Sequence, residues 1–288
     1  MLTMLAPAKL NLTLEVLAKR QDGFHEIRSV IQTINLCDSL RFQPSQNIEF
    51  KSNTPNWLPE KSLVPKAAGL LQDTTGCSKG ATIEIDEHIP LLSGLGGDSS
   101  NAAATLRGLN QLWESGLSLQ ELVELASQLG SDVAFFLYGG TARLEGRGER
   151  VTPLPPLPHM WAVLVVPPVP RLPGKTEQLY ASLKANHYTD GQVTERLVET
   201  LKEGREFTPS ILFNAFENVA FNRFSEISLY REHMVKVGAA NVHLAGSGPT
   251  LFSLVKDRTQ AEDLYTRLKQ QKLESYLTDT LATIDKIE

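Results

Sequence analysis

Cysteine is nearly absent. Cys37 and Cys77 are the only two in 288 residues, and two such residues make no disulfide framework. Cys37 lies in an apolar strand pattern and reads as a small core residue. There is no Cys-x-x-Cys pair, and the six histidines are scattered, so a structural zinc site is not expected. Basic charge is also short. Lys and Arg total 28 against 33 Asp and Glu, a net charge of −5. Nucleic-acid binders usually carry a basic surface, so no nucleic-acid partner is expected. Long apolar runs are missing too. The longest, Trp161 to Val166, falls far below the roughly 20 residues a bilayer span needs. The N-terminal MLTMLAPAKLNL has neither the basic start nor the apolar core of a signal peptide. With 41% hydrophobic and 21% charged residues, the composition is that of a globular protein. A cytoplasmic enzyme with no membrane partner is the expected class.

What the chain does contain is concentrated between Pro90 and Asn110, PLLSGLGGDSSNAAATLRGLN. Gly94-Leu95-Gly96-Gly97 passes into Asp98-Ser99-Ser100, and Ala103, Leu106, Leu109 and Trp113 follow at helical spacing. Glycines let backbone N–H groups converge without Cβ obstruction, and the free N–H groups of a helix start add to them. Such a nest suits a multiply charged anion, most simply a phosphate chain. The alternating Ala81–Glu87 strand before it completes a strand–loop–helix unit. No Gly-Lys-Ser/Thr follows, so this is not the Walker pattern, and it is not Gly-x-Gly-x-x-Gly.

Elsewhere the periodicities alternate between strand and helix. Residues 9–17 read as a strand with Leu10, Leu12, Leu14 and Val16 on one face and Lys9, Asn11, Thr13 and Glu15 on the other. Arg20–Gly23 is a turn, and strands are predicted at Ser29–Leu36 and Leu40–Gln43, with a loop over Asn53–Glu60. A helix is predicted over Ser62–Gln72, with Leu63, Ala67, Leu70 and Leu71 inward. Ser118–Glu121 is a capping box opening a helix that stops at Gly130. Asp132 sits where the N-cap of the next apolar segment belongs. Thr141–Leu144 is a strand, GRGER a turn, and the proline-dense Val151–His159 an interdomain crossing. WAVLVV reads as a buried strand and PPVPRLPG as a stiff loop. Helices are predicted near 175–185, 192–203, 210–220, 225–237 and 258–271, and strands at Asn241–Ala245, Thr250–Val255 and 274–283. No internal repeat or low-complexity tract is visible. The mixture suggests two α+β domains sharing a cleft, divided as 1–157 and 158–288.

Three separated segments carry a resemblance. They are Pro7-Ala8-Lys9-Leu10-Asn11-Leu12 with Asp22-Gly23-Phe24-His25; the Pro90–Ser100 loop with Gly130-Ser131-Asp132-Val133; and Ala245-Gly246-Ser247-Gly248-Pro249. Together they resemble the GHMP kinases, the galacto-, homoserine, mevalonate and phosphomevalonate kinases. The Asp-Gly-Phe-His element resembles the branch that phosphorylates the 2-hydroxyl of 4-diphosphocytidyl-2-C-methyl-D-erythritol, in the non-mevalonate isoprenoid pathway. The resemblance implies an N-terminal domain similar to ribosomal protein S5 domain 2 and a ferredoxin-like C-terminal domain. It implies ATP as co-substrate, Mg²⁺, and a small-molecule partner carrying a cytidine diphosphate group. Monomer and homodimer both stay open.

The same resemblance assigns roles. Lys9 and Asp132 are the implied catalytic pair, with Asp132 taking the hydroxyl proton and Lys9 stabilising the charge that develops. Pro90, Leu91, Leu92, Ser93, Gly94, Leu95, Gly96, Gly97, Asp98, Ser99 and Ser100 are the implied ATP loop. Ser99 or Ser100 is the implied metal ligand. Asn11, Phe24, His25, Thr176, Tyr180, Gly246 and Ser247 are implied on the substrate side, with His25 pairing the cytosine edge and Tyr180 stacking on the ring. This chain departs from the family at Asp98, where a third glycine is usual, at Ser62 for asparagine, and at Glu87 for lysine. A carboxylate about 4 Å from a phosphate charge costs ~1 kcal/mol in water and ~4 kcal/mol when partly desolvated. Asp98 is therefore expected to point away, be paired, or approach the metal. The rival readings are another GHMP small-molecule kinase, of homoserine or mevalonate type, and a non-catalytic nucleotide-binding relative.

Overall fold

The computed structural model describes residues 1–55, 57–169 and 174–284. β1 (Leu2–Lys19) is longer than its KLNLTLEVL core predicts and pairs antiparallel with β2 (His25–Ser45). β2 is one strand where two are predicted. Pro7 faces Cys37 while Ala8 faces Ile34, so Asn35 and Leu36 are absorbed as a bulge instead of breaking the strand. β3 (Ile48–Ser52) has no predicted counterpart; it is a short, half-buried edge strand.

α1 (Leu63–Thr75) starts at Ser62, whose side chain accepts from the Val64 N–H, and ends on Gly76 at φ 64°. Its buried stripe is Val64, Ala67, Ala68 and Leu71, so Leu63 and Leu70 lie at its flanks and not at its centre. β4 (Gly80–Asp86) leads into the glycine loop and α2 (Gly97–Leu112). α3 (Leu119–Leu129) carries both bonds of the predicted capping box, and α4 (Val133–Tyr138) follows. β5 (Thr141–Gly146) and β6 (Arg150–Pro153) form a hairpin. The proline-dense stretch is thus irregular only after Pro153, because β6 is an edge strand where proline costs no needed donor.

β7 (Trp161–Val165) opens a second sheet. Of PPVPRLPG, residues 170–173 lie outside the described residues. α5 (Lys175–Ser182) and α6 (Gln192–Lys202) come next. The single helix predicted over 210–220 is instead a turn at Pro209–Ile211, β8 (Phe213–Asn214) and α7 (Glu217–Arg223). Phe213 and Asn214 pair parallel with Thr13 and Leu14, so β1 captures the segment before it can wind. α8 (Ser225–Lys236), β9 (His243–Leu244), β10 (Leu251–Val255), α9 (Arg258–Gln270) and β11 (Ser275–Asp279) complete the chain.

The first sheet runs β3-β4-β2-β1-β8, with the β5–β6 hairpin on the other half of β2. The second runs β11-β7-β10-β9 and is antiparallel. α1 to α4 cover the first sheet through Phe42, Leu71, Ile83, Leu109 and Phe135. Leu10 and Leu12 of β1 share a core with Leu164 and Phe252 of the second sheet. β1 is therefore the strand on which the two halves meet.

α2 is pinned by a glycine in its middle. A Cβ at Gly108 would lie 2.5 Å from Cε2 and 2.6 Å from Cζ of fully buried Phe42. Alanine gains about 1 kcal/mol of helix propensity over glycine. Overpacking of this kind costs about 1–3 kcal/mol. Gly108→Ala is expected to lower the unfolding free energy in a urea titration; an unchanged or raised midpoint would contradict the close contact.

Candidate functional site

Between the two sheets lies a cleft of about 1210 Å³. Its floor is β1. Lys9 is only 5% exposed, and its backbone N–H donates to Leu95 O of the glycine loop at 2.9 Å. Its ammonium donates to Asn11 Oδ1 at 2.7 Å and lies 3.6 Å from Asp132 Oδ2. Asn11 Nδ2 donates in turn to Ser29 Oγ at 3.0 Å, and Ser29 donates to Thr13 O. That chain orients the amide so that its oxygen faces the lysine. Asp132 occupies the N-cap position of α4, but its side chain makes no capping bond and turns to Lys9. Capping, the ordinary use of an aspartate there, does not account for it.

The glycine loop needs its glycines. Gly94 and Gly96 hold φ of 87° and 79°, in the left-handed region that side chains disfavour. A Cβ on Gly94 would overlap Ala245 O, and one on Gly96 would meet Phe136 Cζ at 2.9 Å and Lys9 Cγ at 3.2 Å. Leu92, Gly94, Gly96 and Ser99 front the cleft. Pro90, Leu91, Ser93, Leu95, Gly97, Asp98 and Ser100 do not line it. Leu95 and Ser93 are buried beneath the loop, and Gly97 begins α2 with its Cβ position 3.2 Å from Ile89. Ser100 is buried, and among the described residues its hydroxyl has no partner.

The three departures resolve as geometry. Asp98 points away from the cleft. Its Oδ1 accepts from Ser62 Oγ at 2.7 Å and both carboxylate oxygens lie 3.1 Å from the Leu63 N–H, so it caps α1. Two of the three departures are thus bonded to each other. Glu87 accepts from Ser52 Oγ at 3.1 Å, at the edge next to β3.

The third segment closes the site from the second sheet. Gly246, at φ 54°, leaves its Cβ position 3.0 Å from Lys9 Nζ and 3.2 Å from Gly94 O. Asn214, on β8, donates to both Leu244 O and Gly246 O at 2.8 Å and so ties this turn to β1. Ser247 Oγ lies 2.8 Å from Thr176 Oγ1 at the start of α5.

At the far end of the cleft the rings gather. His25 stacks on Tyr180 with centroids 4.8 Å apart and planes at 16°, and meets Tyr188 edge-on. Tyr180 rests edge-on against Phe216. Burial first, then the charge of Asp132, pushes the Tyr180 phenol up to about 12. Burial first, then Lys19, holds His25 below its ordinary value. A neutral imidazole offers one donor and one acceptor, which suits the edge of a base. Phe24 is 54% exposed, with the Arg147 guanidinium 4.7 Å from its ring centroid.

Sequence reading missed Asn214, Arg147, Lys175 and Asp38. Arg147 sat in a stretch read only as a turn. Asp38 is 1% exposed; it accepts from the His88 and Ile89 N–H groups at 2.6 and 2.7 Å and from Asn101 Nδ2 at 2.8 Å. It fastens the entry of the glycine loop to α2, and burial pushes its carboxyl up. A lone acid inside the apolar run INLCDSLRF was the available signal. Lys175 lines the cleft, and burial brings its ammonium down to about 8. Among the described residues no group of three or more His, Cys, Asp or Glu is arranged to hold a metal, and no helix is long and apolar enough to cross a membrane.

The family model of the GHMP kinases N terminal domain matches residues 62–140, and that of the GHMP kinases C terminal matches 195–274. A 4-diphosphocytidyl-2-C-methyl-D-erythritol kinase of Dehalococcoides mccartyi is 49% identical over 285 residues, covering 99% of this chain and 100% of that protein. The enzyme of the same name from Geobacillus kaustophilus is 39% identical over 272 residues, 93% of each chain. A crystal structure of 4-(cytidine 5'-diphospho)-2C-methyl-D-erythritol kinase superposes with a TM-score of 0.82 at 32% identity, covering 97% of this chain and 99% of that one.

Asp98→Ala removes the outer cap of α1 and is expected to cost about 1–2 kcal/mol of stability; a loss below a few tenths in chemical denaturation would mean that the bonds to Ser62 and Leu63 carry nothing. The Lys175 ammonium has a lower pKa folded than unfolded, so its charge opposes folding below about pH 8 and the penalty fades as pH rises toward the unfolded value of 10.5. Lys175→Gln should therefore be more stable than the parent at pH 7, with the difference gone by about pH 10.5; a difference that does not change with pH would exclude desolvation as its origin. From the two family models and the near full-length relatives, the chain belongs to the GHMP kinase family.

Proposed function

We propose that the chain transfers the γ-phosphoryl group of ATP to the 2-hydroxyl of 4-diphosphocytidyl-2-C-methyl-D-erythritol, in the cytoplasm, as a step of the non-mevalonate route to isoprenoid precursors. The observation that carries this reading is one cleft holding the buried Lys9 paired with Asp132 beside the glycine loop and, at its other end, the His25–Tyr180 stack. The first suits phosphoryl transfer to an alcohol and the second suits a pyrimidine. The naming of the 49% identical relative supports the same substrate.

Phosphoryl transfer requires the donor held, its charge met, and the alcohol aimed in line. Backbone N–H groups of the loop and of the α2 N-terminus would meet the phosphates of ATP. Asp132 would accept the hydroxyl proton, for which it is free because it caps no helix. Lys9, held by Asn11 and the Leu95 carbonyl, would stabilise charge on the attacking oxygen and the moving phosphoryl. Mg²⁺ binds phosphates with few protein ligands, so the donor set fits. Ser99, in the cleft, would hold it, while Asp98 is taken up by Ser62 and Leu63. Bound there, the ion would neutralise phosphate charge. His25 and Tyr180 would take the cytosine, with Phe24 at the rim. We also divide the chain as 1–157, carrying the loop and the catalytic pair, and 158–288, carrying the substrate-side turn.

Asp132→Asn keeps the size of the side chain and removes the base. With ATP, Mg²⁺ and the cytidylyl alcohol, coupled ADP release should fall by roughly 10²–10⁴ while the circular dichroism and melting temperature hold. A rate within a few-fold of the parent would remove Asp132 from the proton transfer.

A further inference from the structure

We propose that Lys175 is the residue that binds the non-reacting diphosphate of the cytidine-bearing substrate. This rests on the substrate reading above and goes beyond it, because none of the motifs that identify the family includes this lysine.

The placement argues for it. α5 joins the two ends of the cleft. At its start, Thr176 touches Ser247, whose neighbour Gly246 lies against Lys9 Nζ. One turn later Tyr180 stacks on His25. A substrate with its base on that stack and its alcohol beside Asp132 must run its diphosphate between them. Lys175 fronts the cleft at the head of this helix. The phosphates of the donor nucleotide approach along the glycine loop, where backbone N–H groups await them.

The state of the side chain argues the same way. Among the described residues no carboxylate pairs with Lys175, although it is half-buried. Lys9 in the same cleft has Asp132, and Arg20 nearby has Asp22 and Glu26. A desolvated ammonium left without an anion is costly in the free protein. It is repaid when an anion enters, and a charge-assisted contact to phosphate is among the stronger polar contacts. The depressed pKa of the free form agrees with an ammonium waiting for a partner. Lys19 and Arg147 front the same cleft, but Lys19 lies by His25 and Arg147 covers Phe24, both at the base end.

Calorimetry with cytidine and CDP tests this, with the donor site filled by Mg²⁺ and a non-hydrolysable ATP analogue. The parent should bind CDP more tightly than cytidine. Lys175→Gln should weaken CDP by about tenfold and leave cytidine unchanged. Lys175→Arg should keep most of the CDP affinity. Unchanged CDP binding in Lys175→Gln overturns the proposal, as does an equal loss for cytidine, which would show a structural role. A tenfold rise in the KM for ATP with CDP unaffected would overturn it too, by assigning the lysine to the donor. If the parent binds neither cytidine nor CDP, the cytidylyl substrate itself falls and this proposal falls with it.

Discussion

The structure depends on how closely three backbone segments crowd around one buried ammonium. Lys9 lies in β1, between a glycine loop that bonds its backbone and a second loop that reaches it from the other sheet. Neither approach leaves room for a Cβ at Gly94 or Gly96, and Gly246 is barely less tight. Burying a lysine is tolerable only if it is paired and hydrogen-bonded. Asn11 and Asp132 supply both. Beyond Asn11 a bulge at Leu12 reverses the alternation, so Leu14 joins Lys9 and Asn11 in the cleft while Thr13 and Glu15 turn to the other face, toward α6. Thr13 accepts from the Val30 N–H and the Thr194 hydroxyl, and Glu15 accepts from the Thr194 N–H at the start of α6. Among the described residues one Glu15 oxygen is left without a partner.

That bulge marks where sequence reading succeeded and where it stopped. The alternation of residues 9–17 placed Lys9 and Asn11 on one face correctly, but it put Thr13 and Glu15 there too, where the bulge at Leu12 puts Leu14. It could not show that Lys9 is buried, because its cover comes from residues far along the chain, such as Asp132 and Gly246. The capping box at Ser118–Glu121 and the strand–loop–helix unit around Gly94 were legible because their signals are local. The helix expected over 210–220 was wrong for the opposite reason. Its local pattern is helical, but the edge of β1 and the Asn214 bonds to Leu244 and Gly246 select a strand. β2 was divided in two because a bulge has no signature distinguishable from a turn at Asn35–Asp38.

The departures from the family pattern are instructive for the same physical reason. Taken singly, a carboxylate in a phosphate loop and a lost asparagine are unfavourable. Together, Asp98 and Ser62 form a hydrogen bond, and with the Leu63 N–H it caps α1 and turns the negative charge out of the cleft. A sequence scanned position by position shows two anomalies 36 residues apart, while the structure shows one contact.

The central claim is that the two ends of one cleft select one alcohol. The direct measurement is ATP-dependent phosphorylation followed by ³¹P NMR. It would compare 4-diphosphocytidyl-2-C-methyl-D-erythritol with the same polyol phosphate lacking cytidine, with homoserine and with mevalonate. The account predicts a new phosphomonoester on the cytidylyl substrate alone. Comparable transfer to homoserine or mevalonate, or to the polyol without its cytidine, would contradict it.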